Sequence, residues 1–101
     1  MNYDCPIPAI LRYRSKYLCE KMSDLSGIDP AEESRRRPAV TARVFVVRVL
    51  MLEGWSINQI GNVLGWDHST IVHYRKKFFT FMEAPGYDAE RELWEQFKKM
   101  I

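Results

Sequence analysis

Four short polar side chains stand in a row at Asp67, His68, Ser69 and Thr70. About two helical turns further on the chain becomes basic at Arg75, Lys76 and Lys77. Side chains this short donate and accept at close range. A carboxylate accepts from an exocyclic amine, a hydroxyl works in either sense, and a threonine methyl packs against a thymine methyl. The cations beyond them suit phosphate. The combination predicts a surface that reads base edges and holds a polyanionic backbone. Other chemistry fits poorly. His68 and His73 lie five residues apart, which is poor spacing for sharing a metal on a helix, so no metal is expected. No paired carboxylates, nucleophile elbow or cysteine–histidine arrangement points to an enzyme. The pattern G-x-x-x-x-G-K-[ST] is absent, so no nucleotide or other cofactor is expected.

The formal net charge is only +2, but its distribution is uneven. Residues 35–82 carry eight Lys or Arg against two acids, whereas the stretches on either side carry more acid than base. A positive middle segment concentrates polyanions around itself, although a basic run is also compatible with a plain solvated face. With 101 residues, 47% of them hydrophobic, the chain predicts one domain with a real core and no need of a staple. Cys5 and Cys19 form no C-x-x-C and suit a reducing, cytoplasmic setting. No apolar run reaches the roughly 20 residues of a membrane span, and residues 1–8 do not read as a signal peptide.

The elements that position the polar row are predicted as helices throughout. Residues 9–22 repeat with a helical beat that lets Ile10, Tyr13, Tyr17, Leu18 and Met22 share a face. Asp29-Pro30 ahead of Glu32 and Glu33 predicts the start of a short helix. Residues 38–53 form a long apolar run between Pro38 and Gly54. Val44, Phe45, Val46 and Val47 would also suit a strand, but the run is too long for one and lacks a partner. Ser56-Ile57-Asn58-Gln59 is a capping box opening a short helix that Gly65 ends. Asp67 then predicts the N-cap of a helix over 68–82, and Asp88 that of a last helix to residue 100. The expectation is an all-α, small helix-turn-helix domain of about five to six helices, in which a bracing helix holds a recognition helix in the major groove.

Several of these pieces carry a family resemblance. Ser34-Arg35-Arg36-Arg37, then Ala42-Arg43, then Ser56-Ile57-Asn58-Gln59-Ile60-Gly61 against S-L-P-E-I-G, and Asp67-His68-Ser69-Thr70-Ile71-Val72-His73 against D-H-[ST]-T-V-x-H, are similar to the C-terminal DNA-binding domain of the bacterial replication initiator DnaA, in the Trp-repressor-like group. The similarity spans about residues 17–79, within a family-like core of about 17–82, and leaves the helix at 88–100 without a counterpart. It implies double-stranded DNA as partner. Asp67, His68, Ser69 and Thr70 would read the major groove, Arg35 would enter the minor groove with Arg37 close by, and Arg43, Arg75 and Lys76 would hold phosphates. Ser56 and His73 complete the candidate set, His73 also reading as structural.

The departures are specific. Gly65-Trp66 stands where the family has Gly-Gly-Arg, the loop near Gly54 is a residue short, and Asn58 replaces a proline. The target therefore need not be the family's DNA box, and replication, transcription control and a phage accessory role all stay open. The rival expectation is a protein-interaction adaptor that keeps the fold and docks through Trp94 and Phe97 of the last helix. That helix is also the candidate for a homodimer contact.

Overall fold

A run of residues with almost no polar interruption has to be surrounded on all sides, and the chain does this with α2 (Arg37–Leu52). In the computed structural model, which describes residues 7–31 and 36–101, Ala39, Thr41 to Val47, Val49 and Leu50 are all buried. The valines at 44, 46 and 47 adopt helix here because a period of 2 would have exposed half of them, whereas neighbouring helices cover every side. Phe45 is the hub. Its ring lies 6.2 Å from Phe78 and 6.1 Å from Phe81, both edge-on, and 5.2 Å from Trp94. Burying a side chain of this size contributes roughly 1.5–3 kcal/mol.

Among the described residues four further helices and no strand complete the globule: α1 (Ala9–Ser26), α3 (Ile57–Leu64), α4 (His68–Glu83) and α5 (Asp88–Met100). One buried cluster draws on all five. The radius of gyration, 13.0 Å, is that of a close-packed chain of this length. The expected short helix after Asp29-Pro30 falls partly on residues 32–35, outside the described residues. Residues 30 and 31 form a turn in which the Asp29 carboxylate accepts from the Ala31 N–H at 2.9 Å.

The buried face of α1 corrects the sequence expectation. Leu11, Ser15, Leu18 and Met22 face the core, while Ile10 and Tyr13 are 69% and 75% exposed and Tyr17 is also exposed. Counting only large apolar residues passes over Ser15. Its hydroxyl donates to the Arg12 carbonyl at 3.0 Å, and that bond lets a serine complete a stripe at four- and three-residue steps. Tyr17 lies between the Arg14 guanidinium and the Lys21 ammonium, each 5.4 Å from its ring centre.

The last helix is core rather than appendage. Trp94 is buried against Phe45 of α2 and Phe78 of α4, and Phe97 is buried beside it, so neither is an exposed anchor. Its outward side is polar, with Glu92, Glu95, Gln96 and Lys99 exposed. Asp88 is the first helical residue, following Tyr87, and pairs with Arg91 instead of capping the helix as expected. Arg91 also donates to the Phe81 and Ala84 carbonyls at 3.0 and 2.9 Å, supplying donors that the end of α4 lacks.

Candidate nucleic-acid interface

The short helix α3 exists because its first turn closes on itself. The Ser56 hydroxyl accepts from the Gln59 N–H at 3.1 Å, and the Gln59 side-chain oxygen accepts from the Ser56 N–H at 3.0 Å. The helix stops at Gly65, whose φ of 74° is left-handed and suits glycine. Three residues, 65–67, then lead into α4. Two contacts fix this link. Trp66 donates its N–H to the Gly61 carbonyl at 2.9 Å, and a Cβ at Gly61 would stand 2.8 Å from the Trp66 carbonyl oxygen. The Trp66 ring packs edge-on to Tyr74 of α4 with centres 5.9 Å apart. The angle between α3 and α4 is therefore held at the turn itself.

Which side of α4 faces outward follows from what it buries. Ile71, Tyr74, Phe78 and Phe81 are in the core. The opposite side carries Ser69, His73, Lys76 and Thr80, all exposed and spaced by four, three and four residues, so they form one stripe. His68, Arg75 and Phe79 flank it on one side, Thr70 and Lys77 on the other. The polar row and the basic residues thus share a surface. The stripe runs most of the length of a 16-residue helix, roughly 24 Å. No group of His, Cys, Asp and Glu with metal-site geometry occurs among the described residues.

Individual side chains differ from expectation in instructive ways. Asp67 occupies the N-cap position but makes no side-chain cap. Its carboxylate accepts instead from the Ser69 hydroxyl at 3.1 Å, so the pair forms one exposed unit at the tip of the helix. His68 is half-buried, with Nδ1 2.8 Å from Oδ1 of Asn58 on α3. Ser56 is exposed beside α3, its oxygen used in the capping box while the hydroxyl proton stays able to donate. His73 is exposed, tilted against Tyr74 at 6.0 Å.

The arginines divide. Arg35 lies outside the described residues. Arg37 is directed at α5 and the turn before it: it pairs with Glu90 at 2.6 Å, donates to the Gly86 carbonyl at 3.0 Å and covers the Tyr87 ring at 4.5 Å. The bond to Glu90 raises its pKa above the ordinary arginine value. Arg43, which the resemblance assigns to phosphate, is held within the fold. It is 8% exposed, donates Nε to the Pro30 carbonyl at 3.0 Å and lies 6.0 Å from the Trp66 ring centre. Set within the buried block of α2, it lies between residue 30 and the turn before α4. Arg75 and Lys76 are exposed, as a phosphate contact requires.

Three residues that shape this surface escaped the sequence reading. Asn58 registered only as a departure from a family pattern, although it sits on the helix face that meets α4. Gly61 had a signal, since a glycine inside a helix with no turn to make points to close backbone approach. Arg48 had none: it is half-buried, with its guanidinium 4.7 and 5.3 Å from the Phe78 and Phe79 ring centres. Phe79 is exposed, so Arg48 borders a ring on the outer side of α4.

No family model matches the chain, and no solved structure matches it. Over 92 residues, or 90% of its length, it is 30% identical to an uncharacterized protein of Methanocaldococcus jannaschii. That alignment takes in 47% of the archaeal protein, so the chain spans about half the length of this curated relative.

Proposed function

We propose that the chain is a sequence-specific double-stranded DNA-binding module of the helix-turn-helix kind, with the start of α4 in the major groove and α3 as its brace. The observation that carries this reading is the outward stripe of α4. Ser69, His73 and Lys76 are exposed on the side opposite the core, with Asp67 exposed at the tip, half-buried His68 and exposed Arg75 on one flank and half-buried Thr70 on the other. A helix of this width fits the roughly 12 Å major groove with its N-terminal residues on base edges and later cations toward phosphate. The resemblance to the DnaA C-terminal domain supports the same placement. The tie from Arg43 to Pro30 and Trp66 supports a second contact, because it brings the chain leading into residues 32–35 beside the turn before α4. The resemblance assigns the adjacent minor groove to Arg35, which lies outside the described residues. The cellular role we propose is control of replication or transcription, without nucleotide-driven chemistry.

A protein-interaction adaptor is the second reading, and one observation favours it: Ile10 and Tyr13 of α1 are exposed. Fluorescence anisotropy with mixed-sequence duplexes across a salt series decides between the two. DNA binding through phosphates weakens steeply with salt, with a slope of about −0.9 per phosphate neutralised. Flat or absent binding would leave the adaptor.

A further inference from the structure

We propose that Arg48 of α2 is a phosphate-binding residue that holds the DNA backbone from beside α4 and so fixes how α4 is rolled in the groove. The inference rests on the DNA-binding reading and deepens it. Its starting point is an arginine without an anion. Arg48 is half-buried, with its guanidinium 4.7 and 5.3 Å from the ring centres of Phe78 and Phe79. Its Nε is shut off from solvent and has no hydrogen-bond partner. Among the described residues no carboxylate or carbonyl bonds to the forked end either, and that end keeps contact with solvent. Two other arginines of α2 are committed within the fold, Arg37 to Glu90 and the Gly86 carbonyl, Arg43 to the Pro30 carbonyl. A guanidinium laid on two rings has given up rotamer freedom in advance, and its donors still match a phosphate two at a time.

Position points to phosphate and not to a base. Arg48 meets α4 at residues 78 and 79, about 17 Å along the helix from Asp67. The major groove is roughly 12 Å wide, so with the start of α4 on base edges this level of the helix stands beside the backbone. Phe79 is 46% exposed, on the flank of α4 that also carries exposed Arg75. The cation therefore borders the same surface as the polar stripe, and that continuity favours a duplex over a carboxylate of a protein partner. Backbone contacts set register and orientation. One made from α2, which packs on α4 through Phe45, Phe78 and Phe81, restrains a rotation about the axis of α4 that contacts from α4 alone would permit.

Two measurements on the full chain test it. Arg48→Met keeps an apolar stem against the rings and removes the charge together with the unbonded Nε. The expected result is an unfolding midpoint no lower than that of the unaltered protein, duplex affinity reduced about tenfold and a salt slope smaller by about one. The selected base sequence is expected to stay the same. An unchanged slope, or an affinity loss that only follows a lowered midpoint, makes Arg48 structural and overturns the proposal. The second measurement needs no variant. Phenylglyoxal labels arginines, and peptide mass spectrometry reads each position. Bound duplex is expected to slow the labelling of Arg48 and to leave Arg12, exposed on α1, unchanged as the internal reference. Equal labelling of Arg48 with and without duplex overturns the proposal. If the unaltered protein binds duplex steeply with salt while either result goes against Arg48, this inference falls and the DNA-binding reading stands. If the unaltered protein binds no duplex, both fall.

Discussion

Gly61 and Trp66 meet backbone to backbone: the Gly61 carbonyl accepts from the Trp66 N–H, and a Cβ on Gly61 would lie 2.8 Å from the Trp66 carbonyl oxygen. Neither partner is a flexible side-chain end, so the turn itself has to shift to admit a methyl group. Gly61→Ala sets two effects against each other. Alanine gains about 1 kcal/mol of helix propensity, and overpacking costs about 1–3 kcal/mol. The expected outcome is net destabilisation, read as a lower midpoint in thermal or urea unfolding followed by circular dichroism. A higher midpoint would show that α3 and α4 separate easily and that the turn is not the rigid brace described above.

Arg43 and Lys76 are both basic, and their environments predict opposite phenotypes. Arg43 is buried, its guanidinium on the Pro30 carbonyl and near Trp66. Arg43→Ala loses the packing of its stem and leaves a buried carbonyl without its donor, a loss of about 1–3 kcal/mol for the unsatisfied group alone. Lys76 is exposed, so Lys76→Ala leaves the unfolding midpoint within about 0.5 kcal/mol of the unaltered protein. Urea titrations of the two variants side by side check the contrast. Equal stability would remove the structural role assigned to Arg43.

What could be read in the chain before its fold was known depended on how local the cause is. The capping box at 56–59, the glycine stop at residue 65 and the proline opening α2 act within one turn, and each stands where the residues place it. The stripe of α1 was misread because Ser15 is buried by a bond to its own helix, which no hydropathy pattern reveals. Asp67 sits at the N-cap, but its carboxylate accepts from the Ser69 hydroxyl and not from a backbone N–H, a competition between two nearby donors. Arg43, Trp94 and Phe97 depend on partners far along the chain. The resemblance marked the first for phosphate and aromaticity marked the others for an interface, whereas the fold sets Arg43 on the Pro30 carbonyl and buries Trp94 and Phe97. Asn58 and His68, ten residues apart, meet only because α3 and α4 do.

Cys19 predicts a pH effect with a definite sign. Burial, and then the charges of Asp29 and Glu20, push its thiol from the ordinary 9.0 up to about 11. The unfolded chain therefore loses this proton before the folded chain does. The stability linked to Cys19 is fully present below pH 9 and declines as pH rises from about 9 to about 11. In a Cys5→Ser background, the urea midpoint is expected to fall more steeply between pH 8.5 and about 10.5 than in the same protein with Cys19→Ser. Iodoacetamide at pH 8.5 should also label the folded thiol far more slowly than the urea-unfolded one, since the thiolate is the nucleophile. Parallel pH profiles with and without Cys19 would contradict the assignment.

On the proposed DNA-binding face, position along α4 predicts which property each residue controls. Thr70 lies in the first turn, where a methyl and a hydroxyl meet base edges, and Lys76 lies two turns later with only a charge to offer. Thr70→Ala is expected to relax the choice of one base pair, lowering the ratio of specific to non-specific affinity by about 1 kcal/mol or more while the salt slope stays the same. Lys76→Ala is expected to weaken every duplex alike and to reduce the slope by about one. Anisotropy titrations of a selected site and a scrambled duplex at four salt concentrations separate the two effects. If Lys76→Ala instead altered base preference and left the slope intact, the helix would lie in the groove with its far end on the bases. The roles given to its two halves would then have to be exchanged.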